Sequence, residues 1–258
     1  VIKLLVDSHA HLEDEKYDKD REEVIEKCKK DLTFLINVGS NLLTSKQSIE
    51  LAHNYDFIYA SAGIHPHDAQ KEFDKVEEIE RLALQEKVVA IGEIGLDYYY
   101  NDPPKEFQKE VFTKQIRLAK KLNLPIIIHD RDAHGDILDI LKKEWTKDLR
   151  GVFHSYSGSV EMAFQAIEMN FYISLGGPVT FKNAKKPKEV VKAVPIEKLL
   201  IETDSPYLTP EPYRGKRNTP VYVKFVAEKI AELREMSYEE VCRITAENAI
   251  KLFDILPK

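Results

Sequence analysis

Val88-Val89-Ala90-Ile91-Gly92-Glu93 is an apolar run closed by a carboxylate, and Pro125-Ile126-Ile127-Ile128-His129 is a second, closed by an imidazole. Their apolar residues are consecutive rather than alternating, the pattern of strands buried on both faces. Between them, Glu106–Lys121 carries a helical stripe of Phe107, Val111, Phe112, Leu118 and Ala119. Leu124-Pro125 stops that helix before the second run. The unit reads as strand, helix, parallel strand.

Working outward, the same kind of run recurs at Lys3–Asp7, Thr33–Gly39, Ile58–Gly63, Gly151–His154, Phe171–Gly176 and Lys198–Asp204, which makes eight in all. The run ends, marked at His9, Gly39, Gly63, Glu93, His129, His154, Gly176 and Asp204, lie on average about 28 residues apart, the size of a strand–helix unit. Val221–Arg234 carries another helical stripe, Val194-Pro195 is a second break before a strand, and Ser237-Tyr238-Glu239-Glu240 reads as a capping box. Eight units suggest an α/β fold closed as a (β/α)8 TIM barrel, spanning residues 1–258 as one domain. A doubly wound open sheet is the alternative. The longest irregular segment, Ser205–Pro220, follows the last strand.

Composition narrows the function. The chain has 258 residues, 43% hydrophobic and 32% charged, with a formal net charge of −6. That balance excludes a simple polycationic nucleic-acid binder but not a local basic patch. Two cysteines, Cys28 and Cys242, exclude a disulfide framework and a thiolate metal site. No apolar run approaches a membrane span, and Val1–Asp7 does not read as a signal peptide. The expected location is the cytoplasm, with no membrane and no obligate protein partner.

Active sites of (β/α)8 barrels lie at the C-terminal strand ends. Here those ends hold His9 and His11, Glu93, His129, His154 and Asp204, all nitrogen or oxygen metal ligands. In His9-x-His11, residues two apart on a strand point the same way. Singly, each has an ordinary reading: loop histidines, a Glu93 salt bridge, hydrogen-bonded core histidines at positions 129 and 154, an Asx turn at Asp204. Together, five strand ends supplying ligand-type residues point to a metal centre. Six ligands with two carboxylates suggest two divalent ions, of Zn²⁺, Mn²⁺, Co²⁺ or Mg²⁺.

Ser8-His9-Ala10-His11-Leu12, Gly63-Ile64-His65-Pro66-His67, Gly92-Glu93-Ile94-Gly95-Leu96-Asp97, Pro125–His129, His154-Ser155-Tyr156-Ser157-Gly158 and Glu202-Thr203-Asp204-Ser205-Pro206 resemble, in order, the motifs of the TatD metal-dependent deoxyribonucleases. The resemblance runs from residue 7 to Asn248-Ala249. It implies a metal-dependent hydrolase of DNA phosphodiester bonds, with 3′–5′ exonuclease activity as in relatives. By it, His9, His11, Glu93 and Asp204 hold one metal, and Glu93, His129 and His154 hold the other. His65 faces the DNA substrate, and Arg131 and Arg214 are candidate phosphate contacts. Tyr156 stands where the family often has Phe, and Asn218-Thr219-Pro220 where it often has Asn-Glu-Pro. Glu93 replaces the carboxylated lysine that bridges metals in dihydroorotase-like barrels.

The chemistry expected is attack by a metal-activated water. Asp204 and Glu93 would be catalytic, with His65 and Arg131 stabilising charge on the phosphoryl oxygens. Lys182, Lys185, Lys186 and Lys188 after strand seven, and Arg214, Lys216 and Arg217 after strand eight, read either as a phosphate track or as a solvated charge run. One ring of Tyr98-Tyr99-Tyr100 is a candidate for stacking a base. The same metals can hydrolyse an amide or ester, so that activity is the alternative. A binding scaffold without turnover is a third reading.

Overall fold

A computed structural model describes residues 4–100 and 102–255. Eight strands, β1 (Val6–Ala10), β2 (Phe34–Val38), β3 (Ile58–Ala62), β4 (Val88–Asp97), β5 (Ile126–Arg131), β6 (Gly151–Phe153), β7 (Phe171–Leu175) and β8 (Leu199–Ile201), lie side by side in chain order. Every ladder is parallel. The interleaved helices are α1 (Arg21–Asp31), α2 (Leu42–Asn54), α3 (Val76–Ala83), α4 (Lys105–Leu122), α5 (His134–Glu144), α6 (Val160–Glu168), α7 (Lys185–Ala193) and α8 (Val223–Arg234). A further helix, α9 (Tyr238–Phe253), follows. The expected (β/α)8 TIM barrel is the observed fold.

Two-sided burial explains the consecutive apolar runs. Val6, Ile36, Ala90, Ile127, Val152 and Leu200 pack with one another and with Leu252 and Phe253 of α9. Their strand neighbours Leu35, Ile91, Ile126, Ile128, Phe153 and Ile201 belong to a separate cluster shared with the surrounding helices. Local signals hold in part, the Ser237 half of the expected capping box being present. Ser237 caps α9 by accepting the Glu240 N–H at 3.2 Å. The proline at 195 precedes β8, separated from it by a short 3₁₀ turn.

The strand bounds differ from those expected in ways that shape the site. The expected start at Lys3 lies outside the described residues. β4 runs on past Glu93 to Asp97, so Glu93 sits inside a strand, where the register with β5 shifts between Ile91 and Ile94. Gly95 permits the continuation: its φ is +148°, and a Cβ there would sit 1.9 Å from the His129 carbonyl oxygen. β6 and β8 stop at Phe153 and Ile201, so His154 and Asp204 lie just beyond them. The helix expected from Val221 begins at Val223, after a 3₁₀ turn at Pro220–Tyr222.

The barrel closes at its β8–β1 seam without a full ladder. The seam has one bridge, Ala10↔Ser205, with Asp204 N–H donating to His9 O at 2.9 Å and His11 N–H to Ser205 O at 2.8 Å. Side chains complete it. Ser8 donates to Ile201 O at 2.9 Å. Buried Asp7 accepts the Thr203 N–H at 2.9 Å and the Thr203 hydroxyl at 2.5 Å.

Candidate metal centre

His9 and His11 lie where β1 becomes irregular, its register with β2 shifting between Asp7 and Ala10. Strand alternation alone therefore does not aim them. Their Nε2 atoms nonetheless converge to 3.1 Å. His11 Nδ1 donates to Val38 O at 2.8 Å, which leaves the Nε2 lone pair facing inward. Asp204 joins them from the opposite side of the seam, its Oδ1 3.6 Å from His9 Nε2 and 3.5 Å from His11 Nε2. Glu93 Oε2 completes this first set, at 3.6 Å from His9 and 3.8 Å from His11. Asp204 has φ +55°, a left-handed conformation that aspartate tolerates better than most residues.

The second set gathers on the other oxygen of the same carboxylate. His129 Nδ1 and His154 Nε2 each lie 2.8 Å from Glu93 Oε1 and 3.3 Å from each other. Their outer nitrogens are held by carboxylates: His129 Nε2 by Asp97 Oδ2 at 3.0 Å, and His154 Nδ1 by Glu202 Oε1 at 3.3 Å. A carboxylate on one ring nitrogen puts the proton there and turns the other lone pair inward. His65 Nε2 also approaches Glu93 Oε1, at 3.5 Å, but His65 Nδ1 accepts the His67 N–H at 3.1 Å. A neutral His65 thus presents an N–H to the centre, not a lone pair.

These residues fit divalent ions. Zinc-to-donor bonds of about 2.1 Å place tetrahedral donors about 3.4 Å apart, and the first set spans 3.1–3.8 Å. His9 Nδ1 and Glu202 Oε2 are buried and have no hydrogen-bond partner among the described residues. Trios of His9, His11 and Glu93, of His65, Glu93 and His129, and of His9, His154 and Glu202 all bring one donor each within 4.8 Å.

The electrostatics show the strain of packing such groups together. Burial works to raise the Glu93 carboxyl, yet His154, His65 and His129 pull it well below the usual carboxylate range. Asp204 is likewise held down against burial by His11, His154 and His9. Burial lowers His9, with His154 adding to the effect, and takes His65 well below the usual imidazole range. His154 goes well above it, because Glu93 and Glu202 outweigh its burial.

Helix α4 braces the rim. Buried Gln108 accepts the Asp97 N–H at 2.8 Å and donates to Asp97 O at 3.0 Å, while Gln115 does the same for Ile64, at 2.7 and 3.0 Å, beside His65. The unusual Tyr156 is satisfied by donating to Ser159 O at 2.6 Å, and Asn218 pins the long loop by donating to Thr203 O and Tyr207 O. A cleft of about 720 Å³ opens beside the cluster, lined by Tyr99, His129, Arg131, His154, Lys186, Asp204 and Leu208 among others.

The cations expected to track phosphate have different fates. Arg131 and Lys186 line the cleft. Arg214 does not; its guanidinium lies over Phe181, 4.1 Å from the ring centre. Arg217 is committed to Asp20 through two hydrogen bonds of 2.6–2.7 Å, and Lys188 donates to Phe181 O and Lys182 O. Lys216 lies 5.5 Å from the Tyr213 ring. Asp7, Asp97, Glu202, Gln108 and Gln115 also serve the site, although the strand-end pattern does not single them out. The carboxylates had a signal, since each follows or closes an apolar run where an unpaired charge is costly; the glutamines had none.

Comparison with known proteins identifies the family. The TatD related DNase family profile matches residues 6–254. The metal-dependent hydrolase YabD of Bacillus subtilis is 56% identical over 257 residues, covering 98% of this chain and 100% of that one. The metal-dependent hydrolase YcfH of Escherichia coli K12 is 41% identical over 255 residues, covering 97% and 96%. The crystal structure of YJJV, a TatD homologue of Escherichia coli, superposes with a TM-score of 0.92 at 30% identity, covering 99% of this chain and 100% of that one. Coverage of that extent, on a barrel whose strand ends converge on such a donor cluster, makes this chain a member of the TatD family of metal-dependent hydrolases.

Proposed function

We propose that the chain hydrolyses DNA phosphodiester bonds, removing nucleotides from a 3′ end, with two divalent ions held at the strand ends. The observation that carries this reading is the division of Glu93: Oε2 faces His9 and His11, and Oε1 faces His129 and His154. A carboxylate divided this way suits a paired-ion site, the arrangement used for in-line displacement at phosphorus. His9, His11, Glu93 and Asp204 would hold one ion, and Glu93, His129 and His154 the other. Ions held there supply Lewis-acid charge and an acidified water as nucleophile.

The remaining work falls to the chain's own groups. Asp204 meets both histidines through Oδ1, leaving Oδ2 to take the proton of the attacking water. His65 offers its Nε2–H to a phosphoryl oxygen, since Nδ1 is occupied. Asp97 and Glu202 keep His129 and His154 in one tautomer. Arg131 and Lys186 are the cations that line the cleft, beside Asp130 and Asp132, and each offers a charge to a backbone phosphate.

The test is a cleavage assay on 3′- and 5′-labelled single- and double-stranded oligonucleotides. Metal-stripped protein is reloaded with Mg²⁺, Mn²⁺, Co²⁺ or Zn²⁺ in turn, with Asp204→Asn as control. Stepwise shortening from the 3′ end, absent in the control, is the expected result. No cleavage of any strand by fully loaded protein overturns the nuclease reading and directs the search to amides and esters.

A further inference from the structure

Beside the donor cluster lies a cation–aromatic stack whose flat faces the hydrolytic reading does not use. The Arg131 guanidinium sits 3.9 Å from the centre of the Tyr99 ring and 5.3 Å from that of Tyr100. The two tyrosines meet edge to face at 4.9 Å. Both are large aromatics left in water, Tyr99 58% and Tyr100 59% exposed. Tyr98, by contrast, is spent on packing: its hydroxyl donates to Asp136 at 2.5 Å, and Lys105 covers its ring. Among the described residues Arg131 has no carboxylate partner, unlike Arg217 on Asp20. Its outward plane and the exposed tyrosine rings are therefore open to a flat ligand.

The stack adjoins the reacting centre. Tyr99 and Arg131 line the cleft that also holds His129, His154 and Asp204. A chain of ring contacts runs from Tyr100 to His67 at 5.4 Å and from His67 to His129 at 6.4 Å. Stacked face to face, a planar guanidinium and a phenol ring leave the edge of a base unread, and each offers its face to any base. On the proposed nuclease reading, on which this inference rests, we propose that Tyr99 and Arg131 form a stacking shelf for the base next to the scissile phosphate. The shelf holds that base without reading its identity. Arg131 then acts through its plane as much as through its charge, and Tyr99 serves as a specificity-determining residue for substrates that bear a base.

Binding of fluorescent single-stranded oligonucleotides tests this, measured both in chelator and with Mn²⁺ on phosphorothioate-linked strands that resist cleavage. An abasic nucleotide is walked inward from the end. At one position, base removal should weaken wild-type binding about tenfold and leave Tyr99→Ala unaffected. Tyr99→Phe should bind as wild type, and Arg131→Lys, which keeps the charge and loses the plane, should weaken binding several-fold on intact strands only. The shelf is overturned if Tyr99→Ala loses the same factor on abasic and intact strands, or loses nothing on intact ones. Wild-type protein that binds no strand under either condition overturns the nuclease reading together with the shelf, whereas normal binding and cleavage with no Tyr99–base coupling overturns the shelf alone.

Discussion

Strands β4 and β5 meet along a backbone ladder running from Ile91↔Ile126 to Asp97↔Arg131, whereas β8 and β1 meet in one bridge, Ala10↔Ser205. Each junction delivers part of the donor cluster. The ladder side carries Glu93 and His129, with Asp97 further along β4, in register with Arg131 and holding His129 through its side chain. The seam carries His9, His11 and Asp204, and there buried Asp7 does by side chain what the ladder does by backbone. The difference teaches where the site is robust. Ladder hydrogen bonds are redundant and survive most side-chain changes. The seam has fewer backbone bonds to fall back on, and removing Asp7 strands the Thr203 N–H and hydroxyl and the His9 N–H at once.

Glu93 belongs to both halves, so its loss gives the largest effect. Glu93→Gln should lower turnover about 10³-fold and reduce bound metal, which steady-state kinetics and elemental analysis will check. Retained stoichiometry would mean that the halves do not share this residue.

Asp7→Ala should cost about 3 kcal/mol, because the Thr203 N–H and hydroxyl lose a buried acceptor. Denaturant melts will measure it. A cost below that of a typical surface change would remove the contrast between seam and ladder.

Asp97→Asn probes the ladder side instead. It should weaken metal binding about 10–100-fold through His129 while leaving the melting temperature near wild type. A metal titration paired with thermal melts gives both numbers, and equal destabilisation by Asp7→Ala and Asp97→Asn would break the comparison.

The smallest effect is expected behind the ladder, where Glu144 ties α5 to α4. Arg117 and Lys120 pull its carboxyl down to about 2. A carboxyl lower in the folded state than in the unfolded one stabilises above its unfolded range, near 4.5, and loses that contribution as pH falls towards about 2. Arg117 is 60% exposed, so screening limits the gain to about 1 kcal/mol. Melts of Glu144→Gln should therefore fall below wild type at neutral pH and converge with it in acid.

Much of this was legible in the chain. Glu93 and His129 could be recognised because each closes a run whose other members are apolar, so a polar side chain there needs a reason. His9 and His11 stood out by the same contrast. Asp97 was passed over because β4 was expected to end at Glu93; the continuation depends on Gly95 slipping past the His129 carbonyl, which no local pattern announces. Gln108 and Gln115 sit on the buried face of α4 and interrupt its apolar stripe, although they are the hydrogen-bond braces of the Asp97 and Ile64 backbones. Arg214 and Arg217 looked alike as loop cations; one stacks on Phe181 and the other is tied to Asp20.

The eight strand–helix units and the ligand chemistry at their ends are written in the local pattern of the chain. Consecutive apolar residues demand burial on both faces, and a nitrogen or oxygen ligand at the end of such a run is a contrast visible one residue at a time. Only the tertiary structure decided which oxygen of Glu93 meets which histidines, which carboxylate backs each ring, and which cations remain free to face the cleft. Those are pairings rather than environments. Asp7 and Thr203 stand 196 residues apart in the chain and 2.5 Å apart in the barrel, and no periodicity encodes a distance that arises only when the first strand meets the last.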